Sequence, residues 1–269
     1  MTNIHLATVL NKFNVAPNII CLKVLKPREF IFCPGQFARL GLNVDHQKTD
    51  LLTWRAQSIA NNPQDNFLEF LIILEDGGAF SELLKLTASG NGVHLDERSY
   101  GFFTLDRFLL QGDLWLLATG TGIAPFLSII SEKKVWHNFQ SVNLLHSVRD
   151  NSQIIYTEKI FSIFRDPSLK NYVSNFNYVP FTTRCSESTE GILAGKTTTF
   201  DLTRSHFIDI LESSWIKENL KLDLSIEKSK IMLCGNPNMV KETRKYLQLK
   251  GFAISRKDKP GQIAVESFW

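Results

Sequence analysis

Several short segments of this chain carry residues whose types and spacing suit the binding of a phosphorylated nucleotide. The first is Leu117–Pro125, a glycine-rich turn that joins an apolar run to a helix-like segment. Small residues there let the backbone approach a pyrophosphate, and the free N–H groups of a helix start attract an anion. Pro125 fits a helix start because its missing N–H would have been unpaired. The predicted phosphate contacts are Thr119, Gly120, Thr121 and Gly122.

A second turn of similar character, Cys234–Pro237, follows a later apolar run. Ligands of open α/β sheets lie outside the carboxyl ends of the strands, so we expect both turns to face one crevice, with Gly235, Asn236 and Pro237 as further contacts. The first turn reads Gly-x-Gly-x-x-Pro, which departs from the usual dinucleotide fingerprint, and such a turn can equally be structural. Cys234 either lines the crevice or is a small buried apolar residue.

Two further segments lie in the first hundred residues. Arg55–Ser58 ends an alternating run, and a guanidinium there suits the oxygens of a diphosphate. Gly77–Ser81 opens a helical stretch whose start could again hold phosphate. Each has an ordinary alternative, because an arginine at a strand end commonly makes a surface ion pair and a Gly-Gly turn is commonly only a turn. His146 is interpreted as a core histidine rather than as a base.

The first part of the chain, residues 1–107, reads as strands. With one helical stretch at Phe80–Leu86, it predicts a small six-stranded antiparallel barrel. The strand candidates are short, often alternate apolar with polar residues, and are separated by turn residues. They are Ile4–Phe13, Ile19–Leu25, Gln36–Leu42, Thr53–Ala60, Phe67–Leu74 and Gly92–Asp96.

The pattern changes in the second part, residues 108–269, where continuous apolar runs alternate with helical segments. Strands buried on both faces and alternating with helices predict a parallel-sheet α/β domain. Because no flexible linker separates the two parts, we expect two closely packed domains. The runs are Leu114–Ala118, Val142–Leu145, one within Tyr172–Thr182, and Ile231–Leu233; the helices are Ala124–Val135, Gln153–Phe164, Ile208–Asn219 and Asn238–Leu249.

Composition excludes several classes of protein. The 269 residues carry 30 basic and 27 acidic side chains, and a net charge of +3 is too small to indicate nucleic acid. Residues 1–107 hold 10 basic and 11 acidic side chains, whereas residues 108–269 hold 20 and 16. The excess of basic side chains in residues 108–269 suits an anionic ligand or an acidic partner, although a solvated surface explains it equally well.

The sequence also sets expectations about the compartment. No apolar run reaches the ~20 residues that cross a bilayer, and the first 20 residues resemble neither a signal nor a transit peptide. The four cysteines lack the spacing of a zinc site or a disulfide framework. We therefore expect a cytoplasmic monomer with reduced thiols, without metal, nucleic acid or membrane partners.

Taken together, these segments resemble the ferredoxin/flavodoxin–NADP reductase family, of the bacterial type that ends in an aromatic residue. They occur in family order and span nearly the whole chain, with only residues 186–230 weakly covered. The matching segments are Pro34–Phe37, Arg55–Ser58, Gly77–Ser81, Gly101–Asp106, Leu117–Pro125, Leu144–Arg149, Met232–Pro237 and Pro260–Trp269.

The resemblance implies an FAD-binding barrel, an NADP-binding α/β domain and hydride transfer at their interface. It implies that Ser58 lies near flavin N5, that Glu266 lies near the nicotinamide, that Phe268 covers the isoalloxazine and that Trp269 packs on the adenine. Without this resemblance, we would interpret the C-terminal segment as a strand with aromatic side chains in the core. The implied catalytic residues are Ser58, Cys234, Glu266 and Phe268; the implied FAD contacts are Arg55, Ala56, Gln57, Ser58, Ile59, Ala79, Phe80, Ser81 and Trp269.

For the 2′-phosphate of NADP, the resemblance points to Arg149, Arg184 and Lys196, each of which could also be a solvated cation. Gln57 departs from the family, which usually has Tyr there, so we expect FAD to bind with an altered potential or weaker retention. An acidic ferredoxin or flavodoxin is the implied partner. The alternatives are an oxygenase reductase component, a flavin reductase, or a non-catalytic dinucleotide-binding sensor that Gln57 favours slightly.

Overall fold

The computed structural model describes residues 4–45, 51–256 and 258–267, which form two sheets. The first sheet has six antiparallel strands in the order β4-β3-β6-β1-β2-β5. A bridge between Ile59 and Phe70 joins the end of β4 to β5 and closes the sheet into a barrel, which confirms the predicted architecture. The strands are β1 (Ile4–Ala16), β2 (Ile19–Leu25), β3 (Phe37–Leu42), β4 (Thr53–Ser58), β5 (Phe67–Ile73) and β6 (Gly92–Asp96).

The barrel encloses its own apolar core. Leu22, Leu40 and Phe70 are fully buried inside it, each on a different strand. Helix α1 (Ala79–Leu86) lies between β5 and β6 in the chain, and its residues Phe80 and Leu84 join the same core. The helix therefore covers an opening of the barrel and places its first turn beside the strand ends.

The second sheet has seven strands in the order β11-β10-β9-β8-β7-β12-β13. Strands β9, β8, β7, β12 and β13 run parallel to one another, and both faces of the sheet are covered by apolar clusters. The strands are β7 (Asp113–Thr119), β8 (Ser141–Val148), β9 (Phe176–Thr182), β10 (Thr189–Leu193), β11 (Lys196–Phe200), β12 (Ser229–Gly235) and β13 (Ile263–Ser267); the helices are α2 (Ala124–Ile130), α3 (Lys133–Asn138), α4 (Thr157–Ile163), α5 (Phe207–Glu212) and α6 (Pro237–Leu249).

The direction of winding changes beside β7. The chain passes from β7 through β8 to β9 on one side, and β12 then returns to the other side of β7. Ligands of open α/β sheets bind where the strand order reverses in this way. The carboxyl ends that meet at this border are Thr119 of β7 and Gly235 of β12.

The structure corrects three details of the predicted elements. The predicted helix Ala124–Val135 is broken between α2 and α3, and the indole N–H of Trp136 donates to the carbonyl of Ile130 at the break. The predicted helix Ile208–Asn219 divides into α5 and a short π-helical turn. The antiparallel hairpin β10–β11 was not predicted, since its tight turn at Ala194 and Gly195 uses positive φ angles for which alanine gives no sequence signal.

Polar contacts join the barrel to the α/β domain. The Ser128 hydroxyl donates to the carbonyl of Asn61 at 2.7 Å. Glu69 of β5 is 4% exposed and pairs with Lys159 of α4 as well as with Lys23 of its own barrel. These contacts hold the two sheets together. None of the helices within the described ranges is long and apolar enough to span a membrane.

Candidate functional site

The turn after β7 contains two glycines, Gly120 and Gly122, whose positions favour the absence of a side chain for different reasons. Gly120 has φ = +51° and opens a 3₁₀ turn that continues to Ile123 before α2 begins. A Cβ on Gly122 would lie 2.5 Å from the carbonyl oxygen of Cys234, closer than side chains approach a backbone oxygen. The close approach of β12 therefore requires glycine at position 122, whereas the positive φ favours glycine at position 120.

The turn after β12 packs directly against the first turn. The backbone N–H of Asn236 donates to the Thr119 hydroxyl at 2.7 Å. A Cβ on Gly235, where φ is +129°, would collide with that same hydroxyl. The Asn236 side chain caps α6 by accepting from the N–H groups of Asn238 and Met239. The two turns thus lie side by side, as the sequence predicts.

A groove of about 590 Å³ lies over these turns, and we call it the sheet groove. Its wall includes Pro17 and Asn18 from the β1–β2 hairpin, which the sequence marks only as a turn. Residues of both domains therefore form it, as is common for nucleotide sites. The predicted residues that line it are Thr119, Gly120, Thr121, Arg149, Arg184, Gly235 and Asn236.

A second cavity of about 560 Å³, the barrel cavity, lies between the end of β4, the start of α1 and β13. The guanidinium of Arg55 is at its exposed edge and donates to the Trp54 carbonyl at 2.9 Å. The Ser81 hydroxyl accepts from the N–H of Glu75 at 2.9 Å, which leaves its own O–H to donate. The predicted residues that line this cavity are Arg55, Ala56, Gln57, Ser58, Phe80, Ser81 and Glu266.

The barrel cavity contains a carboxyl group with an altered pKa. The Ser58 hydroxyl donates to Oε1 of Glu266 in a long hydrogen bond of 3.4 Å. Burial raises the pKa of Glu266 to about 7, and the hydrogen bond from Ser58 opposes this rise. Glu266 therefore exchanges a proton near neutral pH at a position where the two domains meet.

Cys234 lies beneath the first turn and belongs to neither cavity wall. It is completely buried, and it pairs with Glu266 in the register of β12 and β13. Burial raises the pKa of its thiol well above the ordinary value, and the charge of Glu266 adds to this effect. Its thiol is consequently neutral, which suits packing and leaves it without thiolate chemistry in this arrangement.

The remaining predicted residues lie outside the two cavity walls or outside the described part of the chain. Ile59 is fully buried and closes the barrel, Ala79 is the exposed first residue of α1, and Lys196 is exposed at the start of β11. Gly122 and Pro237 belong to the two turns without lining a cavity. The predicted residues Phe268 and Trp269 lie outside the described residues.

The sheet groove and the barrel cavity adjoin each other. Ile73 at the end of β5 and Thr121 in the first turn line both of them. Arg55 lines the barrel cavity, and Arg149 and Arg184 line the sheet groove. Each cavity therefore offers at least one guanidinium group to an anionic ligand. These guanidinium groups and the turn N–H groups are donors of the kind that a pyrophosphate accepts. Within the described ranges, no group of acidic, His and Cys side chains is placed to hold a metal ion.

An antiparallel barrel joined to a parallel-sheet unit with a crevice at the switch point is an architecture suited to a nucleotide-dependent oxidoreductase. Residues 116–245 match the family model of the oxidoreductase NAD-binding domain. The chain is 32% identical over 239 residues to a flavodoxin/ferredoxin–NADP reductase of Buchnera aphidicola subsp. Baizongia pistaciae, covering 88% of each chain. It is 29% identical over 244 residues to the flavodoxin/ferredoxin–NADP reductase of Escherichia coli (strain K12), also with 88% of each covered.

The similarity extends to the three-dimensional structure. A ferredoxin–NADP⁺ reductase from Neisseria gonorrhoeae with bound FAD and NADP superposes with a TM-score of 0.85 at 30% identity, over 100% of both chains. The CS-b5R domains of human Ncb5or share the fold at 18% identity, with a TM-score of 0.71 over 100% of this chain and 70% of that one. The chain therefore belongs to the flavodoxin/ferredoxin–NADP reductase family.

Proposed function

We propose that this chain transfers hydride between NADPH in the sheet groove and FAD in the barrel cavity, and then single electrons to ferredoxin or flavodoxin. The observation that carries this proposal is the shared wall of the two cavities at Ile73 and Thr121. A nicotinamide at the inner end of the groove would there face a flavin ring. The names of the relatives, and the FAD and NADP bound in the Neisseria gonorrhoeae protein, support the same cofactors.

The barrel residues would hold FAD by its phosphates and ring. The Arg55 guanidinium and the Ser81 hydroxyl can donate to the pyrophosphate from two sides of the cavity. Gln57 is half-buried in the wall and would cover the ring without stacking as an aromatic does. FAD supplies the redox chemistry, because it takes up two electrons as hydride and releases them one at a time. Phe268 and Trp269 remain proposed partners of the ring and the adenine.

The α/β residues would orient NADP(H). The pyrophosphate could approach the backbone of the turn Thr119–Gly122 closely at Gly120, which has no side chain and has open space at its Cβ position. Arg149 and Arg184 can pair with the 2′-phosphate, which distinguishes NADPH from NADH. Holding the nicotinamide against the flavin and excluding water is the contribution of the protein to the rate.

The hydrogen-bonded pair Ser58 and Glu266 would hold or release a proton beside the reacting rings. A carboxyl group with a pKa of about 7 can hold or release a proton at neutral pH without a large free-energy cost. Cys234 would pack beneath this part of the site, where its neutral thiol fills space.

We further propose a monomer with a domain boundary after Arg107, acting in the cytoplasm with its acidic carrier. Size-exclusion chromatography with light scattering tests the oligomeric state.

The decisive experiment is a visible spectrum of the purified protein. We expect the absorption bands of an oxidised flavin, which NADPH bleaches under anaerobic conditions at a much lower concentration than NADH does. Reoxidation by added ferredoxin or flavodoxin would complete the cycle. A colourless protein that cannot be reconstituted with FAD would contradict the proposal and would favour a dinucleotide-binding sensor.

A further inference from the structure

His146 is a completely buried histidine with both ring nitrogens engaged. It lies on β8, where it pairs in register with Ala118 of β7 and Pro180 of β9. Its Nε2 is 2.9 Å from the carbonyl oxygen of Gly120, and its Nδ1 is 3.2 Å from the hydroxyl of Tyr178. A core position filled only for packing would not need a polar ring with two partners.

The partners determine which nitrogen carries the proton. A carbonyl oxygen only accepts, so Nε2–H of His146 donates to Gly120, and Nδ1 accepts from the Tyr178 hydroxyl. Desolvation lowers the pKa of His146 to about 4, so the ring is neutral at physiological pH and keeps this single arrangement. The hydrogen bonds therefore form a fixed chain from Tyr178 through His146 to the backbone of the first turn.

This chain of hydrogen bonds sets the orientation of one peptide group. In a trans peptide the C=O and the following N–H point in opposite directions. Because the Gly120 carbonyl is turned toward His146, the backbone N–H of Thr121 points away from His146. Thr121 and Gly120 both line the sheet groove. Because Gly120 has no Cβ, other orientations of this peptide are sterically available to it.

We propose that His146 is a positioning residue for the dinucleotide: it holds the Gly120–Thr121 peptide so that the turn presents its N–H to the pyrophosphate of NADP(H). This inference rests on the proposed occupancy of the sheet groove. The opposite side of the turn is fixed independently, by the Asn236 N–H bound to the Thr119 hydroxyl. Replacing His146 would therefore allow the Gly120–Thr121 peptide to reorient, whereas Thr119 would keep its position.

The test measures ligand binding to the FAD-loaded protein by isothermal titration calorimetry. Two probes are used: NADP⁺, and adenosine 2′-monophosphate, which lacks the pyrophosphate. For His146→Phe we expect the Kd for NADP⁺ to rise about tenfold, as the loss of one buried hydrogen bond predicts. The Kd for adenosine 2′-monophosphate should change less than about twofold, because that ligand contacts the arginines rather than the turn.

Further variants separate positioning from general damage to the fold. His146→Gln keeps an N–H donor and should recover most of the NADP⁺ affinity. Asn143→Leu is the matched control, since Asn143 is equally buried on the same strand but bonds to Asn177 and Ser141 at the other end of the sheet. Its Kd for NADP⁺ should equal that of the unmodified protein.

Three results would overturn the proposal. His146→Phe could bind NADP⁺ normally, it could lose both probes equally, or Asn143→Leu could weaken NADP⁺ to the same extent. Arg184→Ala serves as the positive control for the groove itself. If Arg184→Ala weakens NADP⁺ while His146→Phe does not, only the role of His146 is wrong; if neither variant weakens it, the proposed groove is wrong as well.

Discussion

The hydroxyl of Ser58 donates a hydrogen bond of 3.4 Å to the carboxylate of Glu266, a residue 208 positions further along the chain. Ser58 ends β4, at one edge of the six-stranded sheet, and Glu266 lies on β13, the edge strand of the second sheet. This contact brings the two domains together at the cavity that we assign to FAD. It also places a titratable carboxyl group where its protonation responds to both domains.

Replacing Glu266 should change how stability depends on pH. The folded carboxyl keeps its proton up to about pH 7, whereas the unfolded one releases it near its ordinary pKa of about 4.3. The contribution of this group to the free energy of unfolding therefore falls as the pH rises through this window. Glu266→Gln cannot ionise, so its free energy of unfolding, relative to that of the unmodified protein, should rise by about 3 kcal/mol between pH 4 and pH 8.

Chemical denaturation of the FAD-loaded protein at a series of pH values measures this difference. Ser58→Ala is the informative companion, because removing the hydrogen bond should raise the pKa of Glu266 and move the window to higher pH. Parallel pH profiles for Glu266→Gln and the unmodified protein would show that the carboxyl does not titrate as proposed.

Gln57→Tyr should strengthen retention of FAD. A tyrosine ring on the flavin face adds a stacking contact that is worth about 0.5–1.5 kcal/mol, so the Kd for FAD should fall roughly 2- to 10-fold. The midpoint potential should shift too, because the ring contacts the oxidised and reduced forms differently. Fluorescence of released FAD and a spectroelectrochemical titration measure the two quantities. Gln57→Leu adds apolar surface without a ring, and an equal gain in that variant would argue against stacking.

Arg184→Ala should raise the KM for NADPH about tenfold and leave that for NADH nearly unchanged. The reason is the loss of one charge-assisted contact to the 2′-phosphate, which NADH lacks. Steady-state kinetics with both cofactors measure the effect. Lys196→Ala provides the comparison, because Lys196 is exposed on β11 and outside the wall of the sheet groove. An equal rise for both cofactors in Arg184→Ala would refute a role at the 2′-phosphate.

Removal of the last two residues tests the implied role of the aromatic tail. Strand β13 ends at Ser267, which lines the barrel cavity, and Phe268 and Trp269 are the next two residues in the sequence. We expect the truncated protein to release FAD faster and to accept the nicotinamide more readily, with a lower KM for NADPH and NADH alike. Flavin release and kinetics with both cofactors are the measurements. Unchanged values in the truncated protein would show that the tail covers neither ring.

Local features of the sequence were enough to predict most of the architecture. The alternation of apolar residues in the first hundred positions indicated barrel strands, and the continuous runs after Arg107 indicated a buried parallel sheet. The glycine turns at Gly120 and Gly235 were recognisable because backbone sterics admit few other residues at positive φ or in so close an approach. Such signals lie within a few neighbouring residues, where side-chain period and backbone geometry act directly.

Other features depended on which distant segments come together. The sequence marked Pro17 and Asn18 as a turn, and only the packing of that hairpin against the α/β domain made them part of the sheet groove. His146 was expected in the core and is there, but its bond to Gly120 arises because β8 lies beside β7. The break between α2 and α3 likewise became visible only in the folded chain.

By itself, then, the sequence determined the two kinds of sheet, the turns at their ends and the family to which they point. The tertiary structure decided that Thr121 and Ile73 would stand in both cavities, and that Ser58 would reach Glu266. The physical reason is that side-chain periodicity and turn sterics are properties of short stretches of chain. Burial, pKa and the contact between two cavities are instead set by strand order and domain packing, which join residues far apart in sequence.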